Sequence, residues 1–326
     1  MDAIFGRLCR LLETAGPGVI VQTHDYPDHD AVAAAFALSE LLKTRALDSR
    51  ICYRGAISSH SLKTMIAELG ISLTKVEDMA PEEFRSRPCI VIDGNPENTN
   101  ARPVTDKLFG VVDHHANAAL PRCPFVDIRT GIGACASMAA GYWEEAGLSP
   151  GRNIATALLM GIEMDTDFIT RRVSRDDIDA FHRLFTVGDW EYSVRVLKAS
   201  LSTKDLSAFH RAVANSRIHG TLLFTLITVD TTQEVISILA DFFLRFREVT
   251  VTAIVENQGD VHHVSVRSRD PAVSAAEIIK EALKGIGDGG GHDYMAGGLI
   301  TTSIDLNEEE LFRRFSLALD KSEQHR

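Results

Sequence analysis

The chain reads as an α/β protein with a parallel-sheet domain followed by a smaller second α/β domain. Three observations predict this. Short apolar runs alternate with helical patterns through the first half: Gly18–Thr23, Arg50–Tyr53, Pro88–Asp93 and Phe109–Asp113 are strand-like, and the Ala-rich Ala31–Lys43 is helical. Runs that are apolar throughout and bounded by polar residues fit parallel strands covered on both faces. From Cys135 to about His219 helical patterns dominate, including Asn153–Met164, Asp176–Phe185 and Leu206–Ser216. Strand signal then returns at Thr221–Val229, Glu248–Val255 and Val261–Ser268, separated and followed by helical segments. We therefore expect a first domain over 1–190, a helical connector over 191–215 and a second domain over 216–326.

The bulk properties narrow the function. There are 34 Lys and Arg against 45 Asp and Glu, a formal charge of −11. Proteins that grip long duplex nucleic acid need a broad basic face, so a nucleic-acid substrate would be short and held locally. The five cysteines (Cys9, Cys52, Cys89, Cys123, Cys135) are odd in number and lack any CxxC pair. That spacing argues against a disulfide framework or a thiolate zinc site and suits a reducing cytoplasm. The N-terminal stretch carries charge too early for a signal peptide, and no apolar run reaches the length of a membrane span.

The informative feature is where Asp and His fall relative to the strands. His24, Asp28 and Asp30 follow the first strand in THDYPDHDA, Asp93 ends CIVID, and Asp113, His114 and His115 end GVVD. Loops past the carboxyl ends of parallel strands share one rim, where ligands bind. A fourth segment, GIEMDTDF, adds Asp165 and Asp167. Two divalent ions roughly 3.5–4 Å apart can clamp a phosphate and activate water, and holding them takes several carboxylates completed by imidazoles. Asp and His without Cys favour Mn²⁺ or Mg²⁺, with other first-row metals open. Singly, each residue has an ordinary explanation: Asp28 or Asp30 as a helix cap, Asp93 before Gly94 as a turn residue. Gathered at three strand ends, they point to a metal centre.

These motifs resemble a known family. HDYPDHDA, the Asp of VIDG, VDHH and GIEMDTDF are similar to four successive motifs of the DHH phosphoesterase superfamily, and VSVRSR and GGGHDYMAGG to its DHHA1 domain. By architecture the resemblance is closest to short NrnA-type oligoribonucleases and 3′-phosphoadenosine 5′-phosphate (pAp) phosphatases. It implies a parallel-sheet DHH domain facing a DHHA1 domain across an active-site cleft. His24 and Asp28 would ligate one ion, Asp30 and His114 the other, with Asp93 bridging and Asp165 joining the second. Asp113 would orient His114, and His115 would contact the phosphate or assist proton transfer. Arg267 and Ser268 would hold a substrate phosphate, and the loop Gly289-Gly290-Gly291-His292 would let backbone N–H groups approach the nucleotide. The expected partner is a short single-stranded oligonucleotide or a mononucleotide; a homodimer is left open.

The resemblance has departures. The first motif has His29 where glycine is usual and Ala34 where serine is usual, and GIGACASMAA keeps one hydroxyl, Ser137. His29 would then intrude on the site or add a donor to it. Gly131, Gly133 and Ala136 also fit G-x-G-x-x-A, but no acidic strand end follows about 20 residues on, so a helix N-terminus near the metals is the better reading. A family II pyrophosphatase conflicts with the GGGH glycines, a non-catalytic nucleotide sensor with the intact ligand set, and a long-strand exonuclease with the chain length and charge.

Overall fold

The computed structural model describes residues 3–16, 18–97, 100–115, 120–229, 231–258, 261–301 and 307–324. The chain divides into two units, Met1–Ser200 and Leu201–Arg326.

In the first unit the elements run α1 (Ile4–Glu13), β1 (Val19–Gln22), α2 (His29–Lys43), β2 (Ser49–Tyr53), α3 (His60–Glu68), β3 (Leu73–Lys75), β4 (Pro88–Ile92), β5 (Lys107–Asp113), β6 (Phe125–Ile128), α4 (Cys135–Glu145), α5 (Arg152–Asp165), α6 (Arg175–Phe185) and α7 (Trp190–Lys198). The six strands form one sheet, ordered β3-β2-β1-β4-β5-β6 and parallel throughout. Successive strand residues serve opposite faces. Val19, Val21, Ile90 and Ile92 join the core beneath α2, α4 and α5, whereas Ile20, Cys89 and Val91 join a smaller one with Met79, Phe84 and Val104. Both faces being covered is why these strands are apolar without alternation. Helix α2 is buried from His29 to Ser39, as an Ala-rich helix apolar all round should be, and packs against α4 and α5.

The strand order places the site. β1 leads outward to β2 and β3, and the chain returns to lay β4, β5 and β6 on the other side of β1. Where the order reverses, the loops leaving β1 and β4 diverge and open a crevice at their carboxyl ends.

The second unit contains α8 (Leu206–Ala214), β7 (Arg217–His219), β8 (Leu222–Ile227), α9 (Gln233–Phe243), β9 (Val251–Gln258), β10 (Val261–Ser268), α10 (Ala275–Ala282), β11 (Gly287–Gly291), β12 (Met295–Ile300) and α11 (Glu308–Gln324). Its sheet is ordered β11-β12-β10-β9-β8-β7. The β8–β9 pair is parallel and the rest antiparallel. The segment expected as a connector is shared: α7 packs on α5 within the first unit, and α8 on β8 within the second.

Gly289–Gly291, expected as a loop, lies instead in edge strand β11, with Gly289 paired to Gly298 and Gly290 to Gly297. On one face Gly289 and Gly298 lie against Ile279 and Leu283, so close that a Cβ at either would collide. The missing side chains are what let α10 press onto the sheet. Among the described residues, no helix is long and apolar enough to cross a membrane.

Candidate metal centre

Six of the expected ligands meet at the crevice. His24 follows β1, and its Nδ1 donates to the Asp25 carbonyl at 2.8 Å, which turns Nε2 toward Asp28 Oδ2 (3.8 Å) and Asp93 Oδ2 (3.7 Å). Asp28 is the N-cap of α2: Oδ1 accepts Ala31 N–H at 3.0 Å while Oδ2 faces His24. One carboxylate thus ends a helix and faces the site.

Asp93 stands where β4 stops, buried, at φ +57°. A left-handed backbone is strained for a residue other than glycine, and here it puts the carboxylate between two imidazoles. Asp93 Oδ1 lies 3.3 Å from His114 Nε2 and 3.6 Å from His115 Nδ1. His114 Nδ1 donates to the Ile132 carbonyl at 3.2 Å, and its Nε2 faces Asp165 Oδ2 at 3.4 Å. Asp165 reaches the site from the last residue of α5. That helix approaches through Gly161, where a Cβ would stand 2.9 Å from Ala136 Cβ and 3.1 Å from Asp30 Cα.

Asp30 lies at the other end of this arrangement. Its Oδ2 accepts Cys135 N–H and its Oδ1 accepts Ala136 N–H, both at 2.7 Å. The helix N-terminus expected from Gly131-x-Gly133-x-x-Ala136 is thus present, and the anion seated on it is Asp30 itself. Among the described residues, four groups bring ligand atoms within 4.8 Å of one another: Asp93-His114-His115, His24-Asp28-Asp93, Asp30-His114-Asp165 and Asp30-Asp93-Cys135. Asp93 belongs to three of them.

The electrostatics call for positive charge. Burial pushes Asp30 and Asp165 well above the usual carboxylate range, and nearby carboxylates, Asp93 for both and Asp28 for both, push further. Against the pull of burial, the neighbouring Asp28 carboxylate raises His24 to about 10. The neighbouring Asp93 carboxylate likewise raises His114 to about 9. Asp93 is held low in spite of its burial, by His114, His115 and His24. Asp93 Oδ1 and His114 Nε2 are buried and form no hydrogen bond; buried polar atoms are rarely left so, and a divalent ion would satisfy both. Oxygen and imidazole donors of this number fit two divalent cations.

Several expected roles are placed differently. Asp113 holds the neighbouring imidazole, His115. Its Oδ1 bonds His115 Nδ1 at 2.8 Å and accepts His115 N–H at 3.1 Å, while the Ile132 carbonyl orients His114. The two rings pack edge to face, centroids 4.3 Å apart, so fixing His115 also braces His114. His29 turns from the acids: it is buried and its Nε2 bonds Ser61 Oγ at 2.9 Å. Asp167 is exposed at φ +48° and belongs to none of the four groups. In the second unit Arg267 is 6% exposed, with Nε 3.3 Å from Asp241 Oδ1 and Nη1 donating to Ser265 Oγ at 2.9 Å. Ser268 is buried and its hydroxyl organises the turn at Asp270. Gly290 and Gly291 are exposed on the edge strand, and the His292 and Tyr294 rings stack in parallel, centroids 5.4 Å apart.

Two residues were missed from sequence. Cys135 sits beside Asp30 and Asp93, but burial and the neighbouring carboxylates hold its thiol protonated, far from thiolate character. Asp177 is buried and accepts from Gly133 N–H (2.8 Å), Ser137 Oγ (2.5 Å), Ser174 N–H (2.8 Å) and Ser174 Oγ (2.6 Å). It ties α6 to the turn that begins α4.

Comparison with known proteins agrees with this architecture. Residues 219–320 match the DHHA1 domain family, and the chain follows the fold of a solved exopolyphosphatase-related protein from Bacteroides fragilis. The TM-score is 0.82 at 16% identity, covering 99% of this chain and 97% of that one. Residues 219–320 thus form a DHHA1 domain, and the chain as a whole shares the fold of that solved structure. RecJ from Thermus thermophilus, solved in complex with Mg²⁺, shares the fold more loosely, with a TM-score of 0.51 at 16% identity over 98% of this chain and 54% of RecJ. An uncharacterized protein of Methanocaldococcus jannaschii is 30% identical over 300 residues, 91% of this chain and 61% of the relative. The chain thus spans about three fifths of the length of that curated relative.

Proposed function

We propose that this chain is a two-metal phosphoesterase acting on phosphate esters of short oligonucleotides or small nucleotides, such as pApA and pAp. The observation that carries the reading is the convergence of His24, Asp28, Asp93, His114 and Asp165, with ligand atoms 3.3–3.8 Å apart across the ion-pair contacts they make, joined by Asp30 within 4.8 Å of His114 and Asp165. His24 and Asp28 are assigned to one cation, Asp30, His114 and Asp165 to the other, and Asp93 to both. Mn²⁺ is the proposed ion, with Mg²⁺, as in the RecJ complex, the main alternative. When bound, such a pair polarises a phosphoryl oxygen and makes a hydroxide available near neutral pH.

The chain's own groups do the rest. Nδ1 donation to backbone carbonyls fixes both ligand imidazoles with Nε2 facing the acids, so the site is pre-organised. The His115 side chain is 31% exposed and held by Asp113, which makes it the ring placed to meet a substrate oxygen, as donor to developing charge or as proton carrier. In the second unit, Arg267, Ser268 and the Gly289–His292 segment are assigned to nucleotide binding. Exposed glycines on a strand leave backbone N–H groups open to close approach. The charge of −11 supports short ligands over long ones.

The test is a substrate panel with Mn²⁺: pAp, pApA, 5′-phosphorylated oligomers of increasing length, cyclic dinucleotides and pyrophosphate. Turnover of the short nucleotides is expected; turnover of pyrophosphate alone would overturn the reading. Asp93→Ala should abolish activity while leaving far-UV circular dichroism intact. Calorimetry should show its loss of both ions rather than one.

A further inference from the structure

The loop from β1 to α2 carries, between His24 and Asp28, a tyrosine that none of the chemistry above uses. Tyr26 is 69% exposed. Its backbone is left-handed, φ +56°, a conformation that bulky side chains rarely adopt. It is held there by its N–H, which donates to the Arg54 carbonyl at 2.9 Å. Gly55 lies directly under the ring. A Cβ built on Gly55 would stand 2.8, 2.9 and 3.0 Å from Cδ1, Cε1 and Cγ of Tyr26. Three consecutive ring carbons at nearly equal distance put that point over the ring's face, because an edge-on approach would leave the outer two much farther away. Gly55 is itself left-handed, φ +84°. One face of the tyrosine therefore rests on bare backbone, a seat that any side chain at position 55 would fill. With one face seated and most of the residue exposed, the ring presents its other face to solvent. Two peptide steps separate Tyr26 from His24 and from Asp28, so its Cα lies within roughly 7.6 Å of each.

A single exposed aromatic residue is ordinary. Here a strained backbone and a glycine seat support the ring on the loop that carries His24 and Asp28, and strain of this kind persists only where the surroundings impose it. A rigid ring with one open face suits a flat, unsaturated partner. Resting on the phosphoesterase reading above, we propose that Tyr26 is a stacking platform for a nucleobase adjoining the phosphate at the metal centre. One base on one ring is worth roughly 5- to 150-fold in affinity, and it tolerates any base because every base has a π-face. Tyr26 would thus select phosphate esters that carry a base over those that do not, with little preference for sequence.

The experiment compares pApA with an analogue of the same diester lacking both bases, using wild-type protein and the variants Tyr26→Ala, Tyr26→Phe and Tyr26→Trp with Mn²⁺. For Tyr26→Ala the ratio of kcat/KM between the two substrates should fall about tenfold, through a rise in KM for pApA. Tyr26→Phe and Tyr26→Trp should keep the ratio. Equal losses on both substrates, or no change in the ratio, would overturn the platform. A binding readout stands apart from turnover: Tyr26→Trp fluorescence, measured against wild type, should be quenched by pApA and not by the baseless analogue. If wild type cleaves neither substrate, the phosphoesterase reading falls, and the quenching titration still decides the stacking: no quenching by pApA rejects it.

Discussion

Glu163 lies in the last turn of α5 and is fully buried. Ser193 Oγ donates to Oε2, and Oε1 has no hydrogen-bond partner. Burial, partly opposed by Lys198, raises its pKa to about 8. The folded chain therefore holds a proton on Glu163 that the unfolded chain releases near pH 4.5. Between these values folding binds more protons than unfolding, so stability falls as pH rises and levels off above 8. Glu163→Gln keeps an acceptor for Ser193 and never ionises. Its melting temperature should match wild type near pH 4.5 and exceed it increasingly toward pH 8, by an amount equivalent to roughly 3–5 kcal/mol. A constant difference across that range would refute the assignment. Asp93 illustrates the opposite case, a strained and buried acid kept charged by three histidines, as expected where function rather than stability sets the residue.

At the scale of elements, the beginning of α4 depends on a side chain far away in sequence. Asp177 gathers four donors from the α4 entry turn and from Ser174. Asp177→Ala would leave buried donors without an acceptor and should destabilise the fold by roughly 2–4 kcal/mol in urea unfolding. Because the same turn delivers the N–H groups that hold Asp30, metal affinity should weaken too, which calorimetry would detect. Such couplings explain what could be read in advance. Strands β1, β2, β4 and β5 were legible as apolar runs, and so were the acids ending three of them, because both signals are local. Strands β3 and β6 are short and half-polar and gave no comparable run. β11 was hidden because glycine signals turns, and only its pairing with β12 makes it a strand. The Asp177 hub, the turn of His29 toward Ser61 and the preference of Asp113 for His115 are contacts set by packing or rotamer, which spacing does not encode.

At the scale of the molecule, each unit has its own hydrophobic interior. The clusters around Phe5, Leu38 and Leu158 and around Val91 lie within Met1–Ser200. Those around Phe224 and Phe315 and around Leu239 lie within Leu201–Arg326. A segment of this size with its own sheet and core can fold alone. Expressed as Leu201–Arg326, the second unit should unfold cooperatively on heating at a temperature that neither Mn²⁺ nor a chelator changes. The full chain should gain thermal stability with Mn²⁺, because ligands that bind only the folded state stabilise it. A metal-dependent transition in the isolated second unit would show that the proposed ion site is incomplete as assigned.

The two amide protons of Cys135 and Ala136 end on the two oxygens of Asp30, a residue also assigned to a cation. An ion drawing electron density from that carboxylate makes it a poorer acceptor for both amides. The first turn of a buried helix therefore acts as a built-in gauge of metal loading. Deuterium uptake at those two amides, followed by NMR as manganese-free protein is titrated with diamagnetic Mg²⁺, should change in step with occupancy while amides at the far end of α4 stay constant.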